Sequence, residues 1–288
     1  MNITELSESR KKIFTDKIIS SSIYGESIIG KYCCEPFKNS VYTRVFVVGE
    51  NIIIKNISFE HSYFIDCKLR KVRFENCSFV NCFFNNCDFS RSSFINCDFK
   101  YSNFKNTIVD VDIFNSAPRE HNLLLKFAIS LRINYRELGQ KNNEDIATQY
   151  EINANRKHLY DSWKSKDPYY RKKYQGFERF EKFIEWIYFK LNDLIWGNGE
   201  SLTRLILSGI FLVALLSIIA TISMGNNFSL NQIVSNIINS LYYFIGSVDN
   251  QDINIIFKNS YVQHMIVIFR TIFFGLLISI LIRKYSRR

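Results

Sequence analysis

The sequence predicts a β-solenoid, then a helical linker, then an α-helical membrane domain with two spans and a re-entrant helix between them. Three observations predict this fold. A large apolar residue recurs at every fifth position from 59 to 114, helical periodicity replaces this repeat after Pro118, and two long apolar stretches lie near the C-terminus. The predicted parts are an N-terminal cap (1–50), the solenoid (51–117), the helical linker (118–200) and the membrane domain (201–288).

The five-residue repeat fits neither a helix nor a flat strand, whose apolar periods are about 3.6 and 2 residues. A chain that turns a corner every five residues instead makes a square coil of twenty residues. Coils that stack at the spacing of β-strands, about 4.8 Å, would place Phe59, Phe79 and Phe99 above one another, and Cys67 above Cys87. The repeat centres are Phe59, Phe64, Leu69, Phe74, Phe79, Phe84, Phe89, Phe94, Phe99, Phe104, Val109 and Phe114.

The cysteines follow the same repeat. Five of the seven lie two residues before a centre, where the repeat otherwise has mostly small residues: Cys67, Cys77, Cys82, Cys87 and Cys97. A zinc site would need CxxC-like pairs or histidines at matching spacing, and the sequence has neither. We therefore interpret these cysteines as small interior residues rather than metal ligands.

The chain is basic, with a formal net charge of +10, so an anionic partner is expected. Nucleic acid and the cytoplasmic membrane surface both fit that charge. Four scattered histidines and the absence of a Gly-rich phosphate loop, HExxH or GxSxG predict that the chain is not an enzyme and binds no cofactor.

The middle of the chain predicts a helical hairpin over about 124–138 and 143–163. This hairpin is either a packed cytosolic connector or an element that senses a ligand or binds a partner. A basic and aromatic segment follows at 164–173, and then an apolar stripe at helical spacing: Phe177, Phe180, Ile184, Ile187, Leu191 and Leu194. The stripe predicts an amphipathic helix on the membrane surface, with an ordinary packed helix as the alternative.

Residues 205–224 carry no charge and span about 30 Å as a helix, the thickness of one hydrocarbon core. Residues 265–282 form a second predicted span, interrupted by Arg270. Several Lys and Arg residues precede the first span and follow the second, whereas the connection between the spans has Lys258 alone. The positive-inside rule therefore places both chain termini in the cytoplasm, and the N-terminus lacks the apolar core of a signal peptide.

Residues 231–246 are apolar at helical spacing but too short and too polar for a full span. They predict a helix that enters the bilayer only halfway. Non-helical backbone at membrane depth is tolerated only beside protein or a water-filled cavity. Because one two-span chain cannot enclose such a cavity, several copies around an axis are expected.

The five-residue repeat resembles the pentapeptide-repeat family, which implies a right-handed quadrilateral β-helix. The order of span, re-entrant helix and span resembles the two-span pore module of potassium-channel-like proteins. The segments DLIWGNGESLTRLILSGIF, FGLLISILIRKYSR and YRELGQKNNEDIATQYEINANRKHLY look like parts of bacterial pentapeptide-repeat membrane proteins. The resemblance implies a homotetrameric ion channel in the cell (inner) membrane, gated or assembled through its cytosolic solenoid by a protein or small molecule.

Some acidic members of the pentapeptide-repeat family mimic DNA. This solenoid carries eight Lys/Arg and seven Asp/Glu between residues 55 and 116, so it lacks the dense negative surface that such mimicry requires. Imitation of DNA is therefore not expected. The basic and aromatic segment at 164–173 could bind nucleic acid, but the apolar stripe that follows it favours a lipid surface, so nucleic acid is not the expected partner. A neutral rod fits a spacer, a docking surface or an assembly element.

A potassium filter presents the carbonyls of a TVGYG strand, and at that place this chain has YYFIGSVDNQD. Potassium selectivity therefore does not carry over. The candidate filter residues are Gly246, Ser247, Asp249 and Asp252, and the two carboxylates would form acidic rings at the outer mouth that favour cations over anions. The alternative is that all four are plain loop residues.

Arg270 is the most informative residue of the second span. An arginine at the centre of the hydrocarbon costs about 2.5 kcal/mol or more, so it should face protein or water. It could pair with Asp249 or Asp252, form a cationic ring that opposes cations, or extend to the outer headgroups. Three further candidates for lining or gating the pore lie on the same span: Phe274, Gly275 and Leu277.

Two functions follow from these observations. One is an oligomeric ion channel in which the second span lines the pore. The other is a membrane-anchored scaffold or interaction protein whose pore module no longer conducts, which the missing filter and the neutral rod favour.

Overall fold

The structure, a computed structural model, describes the backbone of residues 12–15, 18–20, 38–48, 52–165, 167–223, 230–246 and 260–285. The chain divides into two compact units, residues 1–179 and residues 180–288.

The first unit contains the predicted β-solenoid. Its described strands form three parallel sheets, and isolated bridges that link residues 58, 78 and 98 form a fourth face. Tyr63 pairs with Phe83, and Phe83 pairs with Asn103, so successive coils are offset by twenty residues as predicted. The strands are β1 (Lys12–Thr15), β2 (Ile18–Ser20), β3 (Ser40–Thr43), β4 (Phe46–Val48), β5 (Ile52–Lys55), β6 (Tyr63–Ile65), β7 (Lys68–Leu69), β8 (Val72–Glu75), β9 (Phe83–Asn85), β10 (Ser93–Ile95) and β11 (Asn103–Lys105).

The same sheets continue into the segment before residue 51. Strand β3 pairs in parallel with β6, and β1 pairs with β3, which adds rungs to the sheet that ends at β11. Here the offset is irregular, since Val41 pairs with Tyr63, 22 residues later. The regular five-residue pattern is therefore not required for a strand to join this solenoid.

Columns of aromatic rings fill the solenoid. Phe79 stacks on Phe59 at a centroid distance of 5.1 Å and on Phe99 at 5.0 Å. A parallel column places Phe84 on Phe64 at 5.0 Å. These stacks confirm the predicted alignment of residues twenty apart, and offset or edge-on contacts between columns add to the burial of each ring.

The small residues two positions before each centre have a specific partner. The Cys82 thiol donates to the carbonyl oxygen of Phe59 at 3.1 Å, and the Ser102 hydroxyl donates to that of Phe79 at 2.6 Å. A short side chain with a weak or strong donor fits this place because it meets the carbonyl one coil below. All five described cysteines are buried and free, which confirms their interpretation as interior residues. Burial raises the pKa of Cys87, so its thiol stays protonated.

The corners of the coil have left-handed backbone. The residue two positions after each centre has a positive φ, between 46° and 62°, from Asn56 to Asn106. Asparagine occupies six of these eleven corners: Asn56, Asn76, Asn81, Asn86, Asn96 and Asn106. The side-chain amide of Asn86 donates to Asp66 one coil below at 2.6 Å. Asparagine tolerates this conformation better than most residues.

We expect Asn96→Val to destabilise its coil by about 1–2 kcal/mol, because a β-branched residue is strained in left-handed backbone. Asn96→Gly should be neutral or slightly stabilising, since glycine has no Cβ to strain. Hydrogen exchange of the amides in 93–105 of the full chain measures both effects. Equal exchange rates in the two variants would show that backbone strain does not operate at this corner.

The hairpin that follows the solenoid closes its last coil. A short 3-10 helix (Val111–Ser116) leads into α1 (His121–Glu137), which packs against α2 (Lys141–Lys164), and α3 (Pro168–Lys173) follows. Phe127, Leu131 and Tyr135 of α1 are buried in the same core as the phenylalanine columns. The hairpin predicted as a connector therefore also covers the last coil of the solenoid.

Polar side chains of α1 complete the backbone of the last coil. The Asn134 amide accepts a hydrogen bond from the Thr107 N–H at 2.8 Å and donates to the Thr107 carbonyl at 2.7 Å. Ser130 accepts from the Phe104 N–H at 2.9 Å. These bonds satisfy groups that would otherwise form an open sheet edge, and an open edge can pair with another chain.

The second unit is helical. Its helices are α4 (Phe177–Trp196), α5 (Leu202–Ser223), α6 (Leu230–Ile245) and α7 (Ser260–Tyr285), and α4 begins in the first unit. Two segments, Leu202–Ile222 and Tyr261–Arg283, are long and apolar enough to cross a membrane. These two segments, and α6 between them, lie within a few residues of the predicted ones. The apolar stripe of α4 is largely exposed, with Phe177 at 73%.

Candidate functional site

The three helices α5, α6 and α7 pack together through a small apolar core. Ala220 of α5 and Ile266 of α7 are buried, and Tyr243 of α6 packs against them. The Asn236 amide of α6 donates to the Thr221 hydroxyl of α5 at 3.0 Å. Both an apolar contact and a hydrogen bond therefore fix α6 against the spans. Contacts of these two kinds hold helices together in lipid.

Glycine allows the two spans to approach closely. A Cβ on Gly209 of α5 would lie 2.7 Å from the ring of Phe273 on α7, so this ring fits only because residue 209 has no side chain. The ring of Phe273 also meets that of Phe244, at the end of α6, at a centroid distance of 5.3 Å. Phe274 lies near the same ring at 6.3 Å. One face of α7 therefore packs against the C-terminal end of α6.

The end of α6 lies directly against Arg270. Gly246 closes the helix, donating its N–H to the Tyr242 carbonyl at 2.9 Å with a φ of 94°. A Cβ on Gly246 would overlap the Arg270 Nη1 atom and lie 3.1 Å from its Cζ atom. Two candidates predicted independently, Gly246 and Arg270, are thus brought into contact by the fold.

Arg270 is half-buried within an apolar helix. Among the residues that the structure describes, no carboxylate forms an ion pair with Arg270 and no group accepts a hydrogen bond from its guanidinium. The C-terminus of α6, which Arg270 contacts at Gly246, carries a partial negative charge of about half an elementary charge.

The remaining candidates are placed as follows. Phe274 packs near Phe244, Gly275 is exposed with open space around it, and Leu277 is half-buried. Ser247, Asp249 and Asp252 lie outside the described residues. The acidic rings and the pairing of Arg270 with Asp249 or Asp252 therefore stay predictions.

Ion pairs lie at the ends of the two spans. Arg283, near the end of α7, pairs with Glu200, which precedes α5. Arg204 of α5 donates to the carboxylate of Asp193 at 2.8 Å and to its carbonyl oxygen at 2.8 Å. The Gly–Asn–Gly turn at 197–199 has positive φ at all three residues, which sets the angle between α4 and α5. This cluster was not predicted from the sequence, although Gly197 and Gly199 mark the turn.

Residues 38–121 match the family model described as the SV2A/B/C luminal domain. The matched segment contains most of the described solenoid and covers less than a third of the chain, so the chain is similar to that domain over this segment. No curated protein matches the chain. The resemblances to bacterial pentapeptide-repeat proteins and to the two-span pore module remain predictions from the sequence.

Proposed function

We propose that the chain is one subunit of an oligomeric membrane ion channel, in which the end of α6 and the adjoining face of α7 line a shared conduit. The observation that carries this proposal is the contact between Gly246 and Arg270. It sets a charged side chain and the end of a short helix at the same place between two apolar spans.

The length of α6 supports a helix that enters the bilayer without crossing it. Its 16 residues reach about 24 Å, whereas the hydrocarbon core is about 30 Å thick. Its end must therefore lie within the membrane if its beginning lies at the surface. A helix end with free carbonyls and a charged guanidinium need water or protein around them, and copies of this chain around an axis supply both.

The Glu200–Arg283 pair supports a hairpin arrangement of the spans. It joins the start of α5 to the end of α7, so both of these ends emerge on one side of the bilayer. Together with the many basic residues that flank them, this favours a cell-membrane protein with its N- and C-termini in the cytoplasm. The solenoid would then bind a cytosolic protein or a small molecule as its signal. The oligomer would contain four copies of the chain, as in the two-span pore module that the sequence resembles.

The ion selectivity that we propose is a preference for cations without the potassium filter. The carbonyl end of α6 and the carboxylates Asp249 and Asp252 all favour positive ions. Arg270 opposes them, so its position decides whether cations pass.

Flux measurements on the purified full chain in liposomes test the proposal. We expect an ion flux that changes when Arg270→Ala or Asp249→Asn is introduced. Arg119→Ala, in the solenoid unit, is the control and should leave the flux unchanged. Liposomes that contain correctly folded protein and pass no ion in any of these variants would contradict a channel.

A membrane-anchored scaffold is the second candidate. The charges on the solenoid surface favour it, because they are balanced by pairs between neighbouring coils, such as Lys55 with Glu75 and Arg70 with Asp88. On this alternative, deletion of residues 225–260 leaves function intact and deletion of the solenoid abolishes it. The reverse outcome would reject the scaffold.

A further inference from the structure

A groove of about 500 Å³ runs along one corner of the solenoid, within the first unit. Two columns of outward-facing side chains form its walls. The corner column runs from Arg44 to Asn106, the adjoining face column runs from Phe46 to Ile108, and Leu138, which follows α1, lies at the C-terminal end. The volume is in the range of pockets that hold small ligands.

The N-terminal end of the groove is positively charged. The ammonium group of Lys68 lies over the ring of Phe46, 5.6 Å from its centroid. Among the described residues, no carboxylate forms an ion pair with Lys68. Arg44 adds a second cation at the same end. An anionic group of a ligand would therefore meet an ammonium that has no acidic partner within the described protein.

The two carboxylates of the groove are bound by donors of the protein. Asp66 accepts from the Asn86 amide at 2.6 Å. Asp88 is buried and accepts from Arg70 Nε at 2.6 Å and from the Ser90 N–H at 2.9 Å. The cations Arg44, Lys68 and Arg70 outnumber these two carboxylates, so the net charge that a ligand meets is positive.

The C-terminal end of the groove combines an amide with apolar walls. Asn106 donates one N–H of its side-chain amide to Asn86 at 3.0 Å. In the described part of the chain, its second N–H and its carbonyl oxygen have no partner. Ile108 and Leu138 are half-buried beside it. A donor and an acceptor side by side match a peptide group, and the apolar walls match an aliphatic side chain.

The length of the groove sets the length of the ligand. Ile108 lies two coils from Lys68 and three from Phe46, so about 10–14 Å separate the charged end from the apolar end. An extended peptide advances about 3.3–3.6 Å per residue, so three or four residues span this distance.

We propose that this groove binds the C-terminal end of a partner polypeptide. The α-carboxylate lies on Lys68, a peptide group lies on Asn106, and an apolar side chain three residues before the C-terminus packs against Ile108 and Leu138. The inference deepens the proposed function and rests on it for the consequence of binding: the cytosolic signal is a protein that presents such a C-terminus to the solenoid.

Fluorescence anisotropy of a labelled peptide with the full chain in detergent, at low salt, tests the charged end. The probe ends in leucine and three alanines with a free carboxylate, and carries fluorescein on an N-terminal linker. Lys68→Gln should weaken its binding about tenfold, the low end for a hydrogen bond to a charged group, and leave the binding of the C-terminal amide form unchanged. Lys105→Gln is the control, since Lys105 is exposed on β11 outside the groove. An equal loss for both forms would overturn the carboxylate site.

Asn106→Gly tests the amide end. Glycine accepts the φ of 46° at this corner, so the variant keeps the backbone and loses the amide. It should weaken the acid and amide forms alike, by about twofold to tenfold, the range for a hydrogen bond between neutral groups. Asn96→Gly changes a corner outside the groove and should leave binding unchanged. Equal binding of the probe and of one with serine in place of leucine would contradict the apolar end.

Cation flux in liposomes separates the groove from the channel. The acid peptide, added on the side that holds the solenoid, should change the flux of the unaltered chain, and the amide peptide should not. If the peptides bind in the expected pattern and no liposome passes ions, the groove stands and the channel fails. If ions pass and the acid form binds no more tightly than the amide form, the channel stands and the inference is overturned. A flux that the bound acid peptide leaves unchanged would reject its role as the signal.

Discussion

Phe79→Ala is expected to lower the free energy of unfolding of the solenoid by about 3–5 kcal/mol, the cost of removing a fully buried phenylalanine ring. The Phe79 ring is stacked between Phe59 and Phe99 and meets the edges of Phe74 and Phe84. Each neighbour belongs to a rigid coil held by backbone hydrogen bonds. The cavity therefore cannot collapse easily, which places the cost in the upper part of the range.

Hydrogen exchange of the full chain in detergent measures this loss coil by coil. The coils on both sides of Phe79 should lose protection, because a solenoid is stabilised by the contacts between neighbouring repeats. Ile95→Ala is the control: Ile95 is 44% exposed and follows a core residue on β10, so its loss should stay within about 0.5 kcal/mol. An equal effect of the two variants would mean that the phenylalanine columns do not carry the stability of the solenoid.

Asn134→Leu is expected to destabilise the end of the solenoid by about 2–5 kcal/mol. Leucine branches at Cγ as asparagine does but cannot bond to Thr107, so it leaves both the N–H and the carbonyl of Thr107 buried without a partner, at about 1–3 kcal/mol each. The lost free energy comes from the contact between α1 and the last coil, which contains β11. The amide of Thr107 should exchange faster in the variant by the factor that this free energy predicts.

Ile133→Ala is the matched control for Asn134→Leu. Ile133 is the preceding residue of the same helix and is 43% exposed, so its truncation should leave the exchange of Thr107 unchanged. If Asn134→Leu left that amide equally protected, the side chain would not be the cap of the solenoid. Increased self-association of Asn134→Leu would agree with an opened sheet edge.

The solenoid core follows from local pattern. A five-residue period, with a large centre and a small residue two positions earlier, was sufficient to predict the square coil, the twenty-residue offset and the buried cysteines. This works because each coil contacts only its neighbours, so that one repeat unit contains nearly all the information needed for its own packing.

The corners and the cap were missed for different reasons. Asparagine at six of the eleven corners was a visible signal for left-handed backbone, but it did not enter the prediction. Ser130 and Asn134 stand four residues apart within an apolar helical stripe, a pattern that can mark a polar contact with another element. Nothing in the local sequence, however, identifies Thr107 and Phe104 as their partners.

The extent of the membrane helices is a matter of composition and length, and both spans and α6 were predicted within a few residues of their ends. The sequence does not show which face of each of these helices packs against its neighbours. A helix that is apolar on every side carries no stripe to show which residues meet its neighbours. The contact of Arg270 with Gly246 therefore had to come from the packing of three helices, since it depends on the crossing of α5 with α7 at Gly209 and on where α6 ends.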